Sequence, residues 1–521
     1  MPQISLRSSL VGFSVMVSVF AGLALGLEPA ATIPSTVVAP AGPVVKTDWF
    51  AVELFNQRAG WSKQSETTSN GTIETESLME FSIGRGDTAI KVRMGTLFTE
   101  SQEGKPLRMK IHREMAAAPV TEEYSFTPDG VTITTTTAAA NGDESKTTSK
   151  HPLPKGEWLT PAKLGRITKE KIKAGEKKFS VVTIDPSSGM DIVTVDREAK
   201  GTQQITIGNR TIDATVWSMV TKTSSGVNVV GTEYLDADLE LIRSDISLGG
   251  ISMNVVRTDA SVVDRKFVAP EMMVQLFVKP DRTIASPREL KDATYVLSVK
   301  EGEMPSLPSA GGQRYEKIDS LSGRLVVSAK NFVEATDEEQ NDPSFLQHSA
   351  MISKDDPMII ALKTKAIRDK TALEPRERAE LLRRFTYRHI SHKELGKGFA
   401  GAAEVAKTCT GDCSEHAVLL AALLRADGIP ARVASGLIYA DQFAGEKGIF
   451  GYHMWTQALV ALDGKPRWLD LDSTLQGDMQ PFDATHIAVS VSALKDGDLN
   501  SSMMNLVPLL GRLEIKVEKT K

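Results

Sequence analysis

The chain has very little cysteine: Cys409 and Cys413 are the only two in 521 residues. No distributed disulfide framework braces it, so its stability rests on packed apolar cores. Long blocks of like charge are also missing. A formal net charge of -5, with no basic stripe of the kind that follows a phosphate backbone, excludes nucleic acid as a partner. No acidic loop offers the spaced oxygen ligands of a calcium site. Only one long apolar run occurs, at residues 8–27, after a single positive charge at Arg7. It ends near Ala24-Leu25-Gly26, a small-x-small pattern ahead of Glu28 and Pro29. This predicts an export signal within residues 1–27 or, if uncleaved, a membrane tether. Either way the remainder is expected outside the cytoplasm, periplasmic or secreted.

What is present is the composition of a globular protein, 41% hydrophobic and 24% charged, in a chain long enough for several domains. Residues 28–47, rich in Ala, Pro, Val and Thr, read as a linker. From 48 to 280 the pattern is that of antiparallel strands, with alternation and heavy use of Thr, Val and Ile at 72–80, 88–98, 131–138 and 203–212. Turns such as Asn70-Gly71, Asn141-Gly142 and Ser188-Gly189 separate such segments. Residues 153–174 interrupt them with two prolines and a basic helical piece at 167–174. A smaller β-rich unit is expected at 281–340, with strands at 295–299 and 324–328 around a Pro/Gly/Ser break. After Asn341-Asp342-Pro343 the period turns helical, at 358–369 and again from Glu374-Pro375 to Arg388. The fold class is therefore multidomain, a mainly antiparallel β region followed by an α+β domain at 341–521 that closes with strands at 487–491 and 513–517.

The chemistry gathers between Cys409 and Thr474. Ser414 to Ala426 predicts a helix with Ala417, Leu420, Ala421 and Leu424 on one stripe, stopped by Gly428 and Pro430. Cys413 then stands at a helix N-terminus, where the helix dipole and unpaired first-turn amides favour a thiolate and its backbone N–H is an oxyanion donor. A strand from His453 to Leu462 is followed by Asp463-Gly464, a two-residue hairpin signal, and a return strand through Asp472. In that register Leu462 faces Lys465, so His453 and Asp472 share a face as diagonal neighbours, within side-chain reach. A three-residue loop would reverse the parity. Cysteine, histidine and aspartate so arranged are a nucleophile, a base and an orienting carboxylate. Trp455 and Trp468 are candidate walls of a substrate site. His416, three residues after Cys413, is a candidate second base. Cys409 is either inert or the partner of Cys413 in a reversible disulfide. The spacing C-x3-C-x2-H matches no usual zinc arrangement, so no metal is expected.

The motifs Gly411-Asp412-Cys413-Ser414-Glu415-His416-Ala417, Leu424 through Arg432, His453-Met454-Trp455, and Trp468 through Asp472-Ser473-Thr474 together resemble the transglutaminase-like superfamily core over roughly residues 350–480. The resemblance implies a papain-like Cys413-His453-Asp472 triad on a helix packed against an antiparallel sheet. It departs from the pattern at Met454 and Ser473, neither of which belongs to the triad. It further implies acyl transfer on peptide or glutamine-type amides through a thioester, with hydrolysis expected over cross-linking, a protein or peptide as substrate, and no cofactor. The alternative is a non-catalytic envelope binding or structural protein with a degenerate domain of this kind.

Overall fold

The computed structural model describes residues 44–85, 88–115, 119–138, 144–223, 228–248, 250–393, 400–475, 482–495 and 506–521. The apolar segment at 8–27 and most of the linker read at 28–47 lie outside the described residues. Among the described residues no helix is long and apolar enough to cross a membrane. The chain divides into two compact units, with the main change at Pro270 and Glu271.

The first unit is a large antiparallel sheet. Its strands are β1 (Val44–Leu54), β2 (Gln57–Ser69), β3 (Thr72–Arg85), β4 (Thr88–Ser101), β5 (Pro106–Met115), β6 (Val120–Thr127), β7 (Gly130–Ala138) and β8 (Glu144–His151). After the helix α1 (Pro161–Lys173) come β9 (Lys178–Ile184), β10 (Ile192–Ile207), β11 (Arg210–Lys222), β12 (Asn228–Leu235), β13 (Leu241–Leu248) and β14 (Ile251–Thr258). Two hairpin meanders, β8 to β1 and β14 to β9, are joined where β1 pairs with β14. Phe98, Met109, Ile111, Tyr124 and Phe126 from one meander share an apolar cluster with Ile184 of β9, so the sheet bends back on itself. The segment 203–212, read as one strand, is the tip of the β10–β11 hairpin, with Ile207 paired to Arg210 across Gly208 and Asn209. The helix read at 167–174 begins earlier, at Pro161, because proline suits the first helical turn. Its first amides donate to the buried Glu100 carboxylate, Ala162 N at 2.9 Å and Lys163 N at 3.2 Å.

The second unit holds β15 (Asp292–Val299), β16 (Gln313–Lys317), β17 (Ser322–Ser328), α2 (Asp337–Asn341), α3 (Pro357–Ile367), α4 (Pro375–His389), α5 (Ala402–Thr408) and α6 (Cys413–Ala426). It continues with β18 (Ala431–Phe443), β19 (Glu446–Leu462), β20 (Lys465–Leu471), β21 (Ile487–Ser492) and β22 (Leu513–Thr520). Two four-stranded sheets result, ordered β16-β17-β15-β22 and β20-β19-β18-β21. The smaller sheet is thus not confined to 281–340: its edge strand β22 pairs with β15 from far along the chain, Leu297 opposite Ile515. Helix α6 is buried from Ser414 to Arg425 on every side, not on a single stripe. It is a central helix, with α3, α4 and α5 around it and β18 and β19 against it.

The loop before β16 lies against the larger sheet. Gly311 has a left-handed backbone (φ 58°), and a Cβ there would come within 2.1 Å of Asp470 Oδ2. Gly311→Ala is expected to destabilise the second unit by about 2–4 kcal/mol, through overpacking and displacement of a buried carboxylate. Gly428→Ala, with positive φ and open space around it, should cost only about 1 kcal/mol. Urea unfolding followed by tryptophan fluorescence reads the difference, and equal losses would contradict the close packing.

Candidate active site

The hairpin β19–β20 sets the site. Asp463 (φ 52°) and Gly464 (φ 75°) are both left-handed, as a two-residue type I′ turn requires. Leu462 therefore pairs with Lys465 and Gln457 with Asp470. Strand β19 starts at Glu446, seven residues before the expected His453, because its first half pairs with β18, Gly436 opposite His453. Within β19, Thr456 faces α6 and its hydroxyl donates to the Ala417 carbonyl at 2.9 Å. His453, Trp455 and Gln457 occupy the alternate positions.

His453 and Asp472 meet directly, Nε2 to Oδ2 at 2.7 Å. Since the carboxylate accepts, Nε2 carries the proton of this bond and Nδ1 is the ring's other nitrogen. Asp472 is fully buried. Its Oδ1 accepts from the Thr474 amide and hydroxyl, both at 2.7 Å. Burial alone would raise its pKa, but the two imidazoles on Oδ2 outweigh that and hold it well below the usual carboxylate range. The second imidazole, His486, was not read from the sequence. Its Nε2 lies 3.1 Å from the same Oδ2, and its Nδ1 lies 3.0 Å from the Asp483 carbonyl oxygen. Burial pushes His486 down, Asp483 and Asp472 push it up, and the balance is a pKa of about 9. Asp483 is in turn paired with Arg288 at 2.8 Å.

Cys413 is the first residue of α6, and its neighbours are tied to the hairpin. Ser473 Oγ donates to the His416 carbonyl at 3.2 Å, so the residue after Asp472 is fastened to the first turn of the cysteine helix. A capping box closes that turn: Asp412 accepts from Ser414 N, and Glu415 accepts from Asp412 N. Glu415 is buried and its pKa is raised well above the usual value, first by desolvation and then by the Asp412 charge. Cys409 and Cys413 are not joined by a disulfide. Cys409 ends α5 in a left-handed conformation (φ 54°), its Sγ 3.6 Å from His389 Nε2.

The remaining candidates are placed differently from the sequence reading. His416 is buried, not poised as a base: its Nδ1–H donates to the Asp412 carbonyl at 2.6 Å, and burial lowers its pKa to about 4. Trp455 and Trp468 do not stand in the open as substrate walls, since each is almost fully buried among protein groups. Trp455 backs the imidazoles, stacked with His453 at 6.2 Å and edge-on to His486 at 5.1 Å, and its indole N–H donates to Asp470 Oδ1 at 2.8 Å. Trp468 belongs to a core with Phe345, under the Arg432 guanidinium at 3.9 Å. Asp470 is a structural carboxylate, its other oxygen accepting from Gly312 N at 2.7 Å.

The His453, Asp472 and His486 ligand atoms lie within 4.8 Å of one another and are the one such trio among the described residues. Both Nε2 atoms are spaced as hydrogen-bond donors to one oxygen, so a cation there would have to displace two ring protons.

Residues 363–473 match the transglutaminase-like superfamily core. Three solved structures are similar at low identity. A β-barrel-like protein with a domain of unknown function from Brucella abortus is 13% identical, covering 41% of this chain and 95% of its own, TM-score 0.30. A candidate cysteine protease from Cytophaga hutchinsonii is 15% identical, covering 39% and 80%, TM-score 0.24. A candidate protease from Parabacteroides distasonis is 10% identical, covering 73% and 68%, TM-score 0.17. No curated protein sequence matches significantly.

Because the folded pKa of His486 is raised above the ordinary value, its contribution to stability is complete below about pH 6.5. It is lost as pH rises through about 9. Unfolding free energy measured in urea should decline across that window, and the decline should flatten in His486→Gln. An identical slope in both proteins would show that His486 is not held charged.

Proposed function

We propose, from the premise that residues 363–473 form a transglutaminase-like superfamily domain, that this protein is a thiol-dependent acyl-transfer enzyme acting on peptide or glutamine-type amides. Cys413 is its nucleophile, His453 its acid–base group and Asp472 the carboxylate that orients the imidazole. The observation that carries this reading is the bond from His453 Nε2 to the buried Asp472 at 2.7 Å, with the next residue, Ser473, fastened to the first turn of the cysteine helix.

The chemistry follows from those positions. His453 Nδ1 takes the Cys413 proton, and the thiolate adds to the amide carbonyl carbon. The tetrahedral adduct collapses as the imidazolium passes that proton to the departing amine, leaving a thioester on Cys413. Water, deprotonated by the same imidazole, attacks the thioester, releases the carboxylic acid and restores the thiol. An amine in place of water would give a cross-link. Hydrolysis is the reading adopted, since it needs no second protein substrate. Every proton transfer uses the imidazole, so no cofactor enters the cycle. The apolar segment at residues 8–27 supports placing the reaction outside the cytoplasm, either released or tethered to a membrane.

The pH dependence of iodoacetamide alkylation of Cys413 tests the pair. Rapid alkylation well below pH 8 is expected, unaffected in Cys409→Ser and lowered about a hundredfold at pH 6 in His453→Ala. Peptide hydrolysis should fall by on the order of 10⁴ or more in Cys413→Ala. Slow alkylation with an ordinary thiol profile, indifferent to His453, would overturn the assignment.

A further inference from the structure

His486 has a feature that its packing alone does not call for: both of its ring nitrogens face acceptors. Nδ1 lies 3.0 Å from the Asp483 main-chain carbonyl, which accepts only, and Nε2 lies 3.1 Å from Asp472 Oδ2. The other oxygen of Asp472 is already occupied by two donors from Thr474. A ring that donates from both nitrogens carries two protons and a positive charge. It is buried against Trp455 and Phe482, ring centres at 5.1 and 4.5 Å, so solvent does not supply those bonds.

The approach to Asp472 is built by the sheet. Strand β18 lies between the strand of His453 and the strand that follows His486, and at the level of His453 it carries Gly436, which also pairs with Ala488. The centroids of the two imidazoles are 5.8 Å apart there. The groups facing His486 are the carboxylates of Asp472 and Asp483, with Asp470 beyond Trp455, and the His453 ring. Arg288 reaches it through Asp483.

We propose that His486 is a positioning residue of this site, a buried imidazolium at neutral pH that keeps Asp472 ionised and shares its Oδ2 with His453, so fixing how that carboxylate holds the His453 ring. The proposal deepens the acyl-transfer reading and rests on it. One carboxylate oxygen is divided between two N–H donors, so the place of Asp472 relative to His453 depends on His486. The upward shift of His486, against its own burial, agrees with the geometry.

Nitrogen-15 labelling of the histidine rings in the full chain, followed by NMR across a pH titration, reads the charge on His486. One ring should keep the doubly protonated signature to about pH 8, and that signal should vanish in His486→Gln. In the same variant the alkylation profile of Cys413 should shift along the pH axis by about one unit, whereas a merely structural loss would lower its amplitude without moving it. A His486 ring that is neutral at pH 7 in the wild-type protein overturns the proposal, whether or not the variant folds. So does an unmoved alkylation profile in a folded variant whose thiol still depends on His453. A wild-type thiol indifferent to His453 would overturn the acyl-transfer reading, and this proposal with it, and that result is read from alkylation alone.

Discussion

An aspartate carboxylate taken wholly out of water is the constraint on which the second unit is organised. Isolated in an apolar interior, a charge of that kind would be neutralised by a proton, and Asp472 stays ionised only because donors surround it. Thr474 supplies two from the residue next but one, His453 one from β19, and His486 one from just before β21. Behind these stand Asp483 and then Arg288, which reaches across from the start of the smaller sheet's segment. The neighbouring Asp470 follows the same logic with different donors: Trp455, Gln457 and the Gly312 amide. Two carboxylates two residues apart thus have separate tasks, one holding two imidazoles and one tying the two sheets together.

The cysteine helix illustrates how burial and charge are reconciled locally. Its first turn carries Asp412, Ser414, Glu415 and His416, all buried. The capping box uses the two acids to satisfy amides that a helix start leaves without intrahelical partners. Glu415 also accepts from the Ala400 amide at 2.9 Å, which fixes the segment ahead of α5 to the same turn. His416 remains neutral by giving its single ring proton to the Asp412 carbonyl. The turn that presents Cys413 is therefore rigid from several directions.

What could be read in advance was local. The Asp463-Gly464 turn determines parity, parity determines which side chains share a face, and that is enough to bring His453 to Asp472 on paper. Helix α3 declares itself through its periodicity and α4 through the Glu374-Pro375 pair at its start. What escaped depends on strands that meet from far apart. His486 becomes a partner of Asp472 only once β21 has paired with β18, and the sole local hint was a histidine after Asp483-Ala484-Thr485 at the head of an apolar strand. Trp455 and Trp468 look alike in sequence, as any core or cleft aromatic does, and differ only in what three dimensions place beside them. The pairing of β1 with β14 likewise joins the ends of two meanders, which no turn residue announces.

The smaller sheet closes around the domain in a way that bears on how the molecule comes apart. Its strands β15 to β17 precede the helices and the larger sheet, and β22 follows them, so the domain of helix α6 is threaded between strands that pair with one another. Gln313 adds a second tie, its side chain bonded both ways to the Ala488 backbone at 2.8 Å, beside the bond from Gly312 to Asp470. Neither sheet can be lost while the other keeps all its partners. The second unit is in consequence tied as one block, so that opening at its edge strand loosens the bonds that reach the carboxylates at its centre.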